Sequence, residues 1–270
     1  MYGTEAYQGG PRQNGGTRMA KQTLIGMAGA VLFALGSTLT GAHAEERKVG
    51  YAVTVTGASD YMFRGISYTD EDVTANLYAE VNYGIAYVAL WTSNIDFGAL
   101  GPWEQDVYFG IRPVTGPVSW DLAAYYYMYG NRDEGAFGST SDVDYVEFKI
   151  GATATPVTNL TVGATVWLQP DQGYAATENI SVEGSVSYTL PKLGVFEPTI
   201  SGLIGHSESG TNDYYTTGYW LGEDSYTYWN AGLKLTADKF FVDLRYWDTT
   251  IDDDLADSRF VLSAGVNLLP

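Results

Sequence analysis

The segment VTANLYAEVNYG, residues 73–84, alternates strictly. Val73, Ala75, Leu77, Ala79, Val81 and Tyr83 fall on one face of an extended chain, and Thr74, Asn76, Tyr78, Glu80 and Asn82 fall on the other. Period-two alternation marks a strand with one dry and one wet face. The pattern recurs near residues 49–59, 85–96, 104–113, 118–129, 143–155, 160–169, 179–190, 196–206, 226–236, 239–249 and 258–269, which predicts an all-β chain of about 12 strands.

The connections between these runs alternate in length. MFRGISYTDED, DFGALGPW, YGNRDEGAFGSTSD, PDQGYAATE, SESGTNDYYTTGYWLGEDS and TIDDDLAD are long. YGI, VTGP, PVTN, PKLGV and ADK are short. Such sorting has a simple cause when strands run up and down through a slab whose two sides differ, as in outer-membrane barrels with short periplasmic turns and long extracellular loops. A soluble sandwich gives no reason for it.

No segment supplies an amphipathic helix to cover the apolar face. The opposite face carries Glu80, Glu104, Asp106, Arg112, Asp121, Glu147, Lys149, Glu183, Lys234, Asp243 and Arg245. A dry protein core does not accommodate so many charges, so water is expected to reach them. A closed transmembrane antiparallel β-barrel with a wet interior and a lipid-facing exterior satisfies both faces and leaves no sheet edge in hydrocarbon. On the apolar parity, Tyr83, Trp120, Tyr188 and Phe240 fall near short-turn ends, and Tyr126, Trp229 and Tyr246 near long-loop ends. That is the arrangement of two interfacial girdles.

Composition narrows the class further. A secretory signal is expected in MAKQTLIGMAGAVLFALGSTLTGAHA, with Lys21, an apolar run from Leu24 to Leu39 and cleavage after Ala44. Residues 1–44 are therefore read as an upstream extension plus signal peptide, and residues 45–270 as one barrel domain. The formal net charge of −18 argues against a nucleic-acid partner. The absence of cysteine leaves an exported chain to hold itself together by one continuous fold.

The stretch SDYMFRGISYTDED, residues 59–72, with WTSNIDFG at 91–98 and YYYMYG at 125–130, resembles the TorF family of bacterial porins. The resemblance implies a signal-bearing outer-membrane barrel with a channel role. Within the motif, Arg64 has two readings. In one it folds inward with Gly65 bending the backbone toward the lumen, and pairs with interior carboxylates. In the other it caps a strand end in a surface loop.

Covalent chemistry finds little support. His206 in GHSES is the one histidine beyond the signal, and Ser207 beside it points to the opposite strand face. No nucleophile elbow accompanies it, so a lipid hydrolase ranks low. The acidic runs 70–72 and 252–254 lack the spacing of a calcium loop and read as solvated loops, so no metal site and no cofactor are expected. The Tyr- and Trp-rich segment 207–225 leaves a receptor or adhesin role open.

The reading is an outer-membrane channel for passive diffusion of small hydrophilic solutes or ions, with cations preferred because wall acids outnumber wall bases. The pore-lining candidates are Arg64 and the eleven charged wall residues named above. Partners are outer-membrane lipid and lipopolysaccharide, the machinery that assembles barrels, and the solutes themselves. A structural barrel without conduction, plugged by its own inward Tyr and Arg side chains, is the alternative.

Overall fold

A computed structural model describes residues 49–97, 100–130, 143–216 and 218–269. The expected export segment 1–44 lies outside the described residues. The strands are β1 (Val49–Ala58), β2 (Met62–Phe63), β3 (Ile66–Ser67), β4 (Thr74–Tyr83), β5 (Ala86–Asn94), β6 (Trp103–Ile111), β7 (Val114–Thr115) and β8 (Val118–Gly130). They continue with β9 (Tyr145–Val157), β10 (Leu160–Gln169), β11 (Asn179–Thr189), β12 (Glu197–Ser209), β13 (Ser225–Ala237), β14 (Phe240–Thr249) and β15 (Arg259–Leu269).

Twelve of these form the wall of a closed antiparallel β-barrel. Each wall strand pairs with its predecessor and successor, β15 returns to β1, and β6 pairs with β8 past the short β7 stub. Closure leaves no free sheet edge, so every wall strand finds backbone partners on both sides. The paired register advances steadily around the wall, the stagger that a tilted barrel requires.

The alternation read from the sequence maps onto the two sides of this wall. Val55, Val81, Phe109, Ile150, Val182, Ile204, Leu244, Phe260 and Leu262 are exposed on the outside. An exterior so uniformly apolar is a continuous belt, far larger than the few hundred Å² that soluble monomers leave uncovered. The residues between them point inward.

Inside, the two halves of the barrel differ. At the long-loop end, β2 and β3 pair with each other as a separate hairpin within a core of aromatic rings. At the short-turn end the inner wall is charged and partly open. Among the described residues the helical content is a 3-10 turn at Asp254–Ala256, capped by the Asp253 side chain.

Candidate functional site

The connection between β1 and β4 turns inward. Asp60 fixes its base: one carboxylate oxygen accepts from Ser67 Oγ at 2.7 Å and Thr69 Oγ1 at 2.8 Å, and the other accepts from Arg259 Nη1 at 3.1 Å. A hairpin follows with Arg64 and Gly65 at its tip, at φ 48° and 86°. Two successive positive φ values are those of the tight hairpin turn whose twist suits its strands. Gly65 is needed on a second ground, because a Cβ there would lie 2.3 Å from Thr249 Cγ2 at the end of β14. The hairpin therefore packs beside β14, two strands along the wall from β1, and reaches toward β9 through Arg64.

Arg64 locks it in place. Nη2 lies 2.7 Å from Glu147 Oε1 on β9, and neither side chain is more than 1% exposed. Glu147 Oε2 accepts from Tyr127 Oη at 3.1 Å, and Tyr226 Oη donates to the Arg64 carbonyl at 3.1 Å. The guanidinium carbon sits 4.6 Å from the Phe63 ring, 5.3 Å from Trp167 and 5.9 Å from Trp220, a cation enclosed by π faces. Burial disfavours a lone charge here, and the ion pair with Glu147 compensates it.

Aromatic rings complete the plug. Tyr68 stacks on Phe97 at 4.3 Å, Tyr61 meets Trp91 at 5.1 Å, and Trp220 meets Tyr226 at 5.1 Å. From the wall, Tyr108, Tyr125, Tyr127 and Tyr145 form a continuous stack, with successive centroids 4.3, 6.0 and 4.6 Å apart. Glu183 beneath them accepts from Trp167 Nε1 at 3.1 Å and Tyr228 Oη at 2.9 Å.

Toward the short turns the lumen becomes a charged cup. Arg112 grips both oxygens of Glu80, each at 2.8 Å, and lies 3.7 Å over the Tyr87 ring. Asp121 holds Lys149 Nζ at 2.7 Å and Tyr87 Oη at 2.7 Å. Across the barrel, Arg245 binds Asp243, Asn230 Oδ1 at 2.6 Å and Ser201 Oγ at 2.9 Å. Lys234 lies over the Phe241 ring at 4.2 Å.

Every pore-lining candidate therefore sits inside the wall, but water does not reach all of them. Glu104 and Glu147 are 0% exposed, and Asp106, Glu183, Glu80 and Arg64 are buried. The expectation of a wet lumen is corrected for the plugged half. Aromatic side chains and the hairpin fill it, and hydrogen bonds or Arg64 meet most of the acids there. Arg112, Asp121, Lys149, Lys234 and Arg245 keep solvent contact.

Other sequence readings also resolve. His206 lies on the outer face with Nδ1 3.0 Å from Thr227 Oγ1, whereas Ser207 points inward to Ser181 at 2.6 Å. The acidic run 70–72 gives Glu71 to Arg259 at 3.3 Å. No cluster of three metal-ligating side chains occurs among the described residues. In the 207–225 segment, Tyr215, Tyr219 and Trp220 are buried, so most of its aromatic surface faces the plug and only part is available for recognition. The plug realises the alternative of a barrel filled by its own inward Tyr and Arg side chains, and it extends further than that reading named: the inward parity of Tyr125, Tyr127 and Tyr129, and of Tyr226 and Tyr228, places bulky rings across the lumen.

The family model of Gcw_chp, described as a bacterial protein of unknown function, matches residues 42–266. The chain belongs to this family. Comparison with curated proteins finds no match. Among solved structures, the chain is similar to LpxR from Salmonella typhimurium, with 11% identity, 81% of this chain and 100% of that one covered, and a TM-score of 0.47. It is similar to the NanC porin, with 9% identity, coverage of 80% and 98%, and a TM-score of 0.48. It is also similar to the β domain of the Bordetella autotransporter BrkA, with 11% identity, coverage of 81% and 98%, and a TM-score of 0.41.

Proposed function

We propose that this Gcw_chp barrel lies in the bacterial outer membrane and acts as a porin-like channel for small hydrophilic solutes or ions, held shut by its own first loop. The apolar outer belt supports the location, since a closed barrel meets the backbone demands of lipid and turns its hydrophobic parity outward. The resemblance of SDYMFRGIS to the TorF family of porins points the same way. Partners in this reading are lipid, lipopolysaccharide, the barrel-assembly machinery and the solutes themselves. No covalent step enters it.

The observation that carries the gate is the Arg64–Glu147 pair at the centre of the lumen. A hairpin that ends in a buried ion pair is a discrete, reversible obstruction, and below it lies a charged cup already open to the short-turn side. Conduction then requires the hairpin to leave Glu147. The same burial favours a second reading, a structural barrel that never conducts.

Planar-bilayer recording separates the two. Wild-type protein is expected to be closed most of the time, with Arg64→Ala giving steady conductance. A correctly folded Arg64→Ala barrel that stays silent, together with silence after deletion of residues 62–67, would leave the non-conducting reading.

A further inference from the structure

One region of the plugged half leaves polar atoms without partners. Among the described residues, Glu104 Oε2 and Asp106 Oδ1 on β6, Trp91 Nε1 on β5, Tyr129 Oη on β8 and Tyr68 Oη from the inserted loop are buried without a hydrogen-bond partner. The register sets them side by side: Trp91 stands opposite Asp106, and Glu104 opposite Tyr129. Buried polar atoms nearly always find partners, so a concentration of exceptions in one place marks a missing group.

Its charge can be read from the two acids. Glu104 and Asp106 are two residues apart on one strand, hence on the same face, and their carboxyl groups are close enough to interact. Glu104 accepts one hydrogen bond, from Tyr61 Oη at 3.1 Å. Neither acid joins an ion pair among the described residues, in contrast to Glu147 with Arg64 and Glu80 with Arg112. Two adjoining carboxylates out of water repel each other and have lost hydration, so the pair calls for a cation between them or a proton shared by them.

We propose that Glu104 and Asp106 bind one hard divalent cation, with the hydroxyl oxygens of Tyr68 and Tyr129 as neutral ligands. An all-oxygen donor set suits such an ion, and two carboxylates match its charge. No third acid, His or Cys completes the set among the described residues, which makes this a releasable site. Tyr61 and Tyr68 both belong to the inserted loop, so the cation ties plug to wall on the β6 side, as Arg64 does on the β9 side. That gating consequence rests on the channel reading. The binding itself does not.

The test uses the folded full chain in detergent micelles, stripped with a chelator and then titrated with CaCl2 against choline chloride at equal ionic strength. The unfolding temperature of the wild type is expected to rise by several degrees and saturate. Glu104→Gln/Asp106→Asn is expected to give a flat response, and Asp252→Asn/Asp254→Asn, on the outer loop, to keep the full one. Terbium supplies a measurement free of any variant, since an ion beside Tyr68, Tyr129 and Trp91 gives ring-sensitised emission that CaCl2 displaces. Absence of that emission, or an equal calcium response in the Glu104/Asp106 variant, overturns the proposal. So does a wild type indifferent to calcium whose stability falls with rising pH while the variant's does not, because the pair would then hold a shared proton.

Discussion

Arg64 and Glu147, 83 positions apart in the chain, form an ion pair 2.7 Å long that water scarcely touches. Breaking a buried pair from one side leaves a stranded charge and costs about 3–5 kcal/mol, whereas replacing both members by apolar groups of similar volume is often neutral. Arg64→Met and Glu147→Met are each expected to lower the unfolding midpoint in denaturant. The double variant should recover most of the loss. Equal losses in all three would mean that the aromatic enclosure, rather than the charge pair, holds the hairpin.

The outer loops carry a smaller device of the same kind. Asn212 Nδ2 donates to Asp171 Oδ1 at 2.8 Å and the Gly173 N–H donates to the same oxygen at 3.0 Å. Both bonds favour the ionised form and hold the Asp171 carboxyl below its usual value. A depressed carboxylate contributes stability that is present above its unfolded pKa, ~3.9, and is lost as pH falls through the folded value. The contact between the loops at 170–178 and 210–216 should therefore persist at neutral pH and loosen in acid, read as faster protease nicking near Asp213. Asn212→Ala should give the acid nicking pattern already at neutral pH.

Strand count, closure and inward parity were legible because each strand is half apolar and half polar. A one-residue slip would place Glu80 in the outer belt and Val81 in the cup. For the hairpin at 62–67 the sequence offered an inward Arg64 and a surface cap on equal terms, and the inward reading is the one observed. Its inward course is decided by Asp60, Arg64 and Gly65 meeting Arg259, Glu147 and Thr249, and contacts at such separations leave no local period. Burial of Glu104 and Glu147 was misjudged for the same reason, since the rings that exclude water come from a loop and from distant strands.

Orientation yields a prediction independent of conduction. An even number of wall strands returns both described ends to the short-turn side, which the outer-membrane reading makes periplasmic. Asp213, exposed on a long loop, and Lys192, exposed in a short turn with only a surface bridge to Glu197, are suitable cysteine sites. An impermeant maleimide should label Asp213→Cys in intact cells and Lys192→Cys only after lysis. Labelling of Lys192→Cys alone in intact cells would reverse the topology.

Ion selectivity depends on how the cup divides its charges. A cluster of Arg112, Lys149 and Arg245 at one constriction would have set anion preference. The structure separates them: Arg112 and Lys149 are interleaved with Glu80 and Asp121, while Arg245 sits across the lumen on Asp243. Each base is thus largely neutralised where it stands, and on the channel reading the remaining acids of the wall and outer loops are expected to bias the mouth toward cations. In a tenfold KCl gradient the opened Arg64→Ala channel should show a cation-selective reversal potential. That potential should shrink at high salt, because screening contracts from roughly 10 Å at 0.1 M to about 3 Å at 1 M. Glu80→Gln leaves the Arg112 charge only partly compensated in the cup and should move the potential toward anions, and Arg112→Ala should move it the other way. An anion-selective value that Glu80→Gln leaves unchanged would place the filter elsewhere in the barrel, away from the Glu80–Arg112 pair.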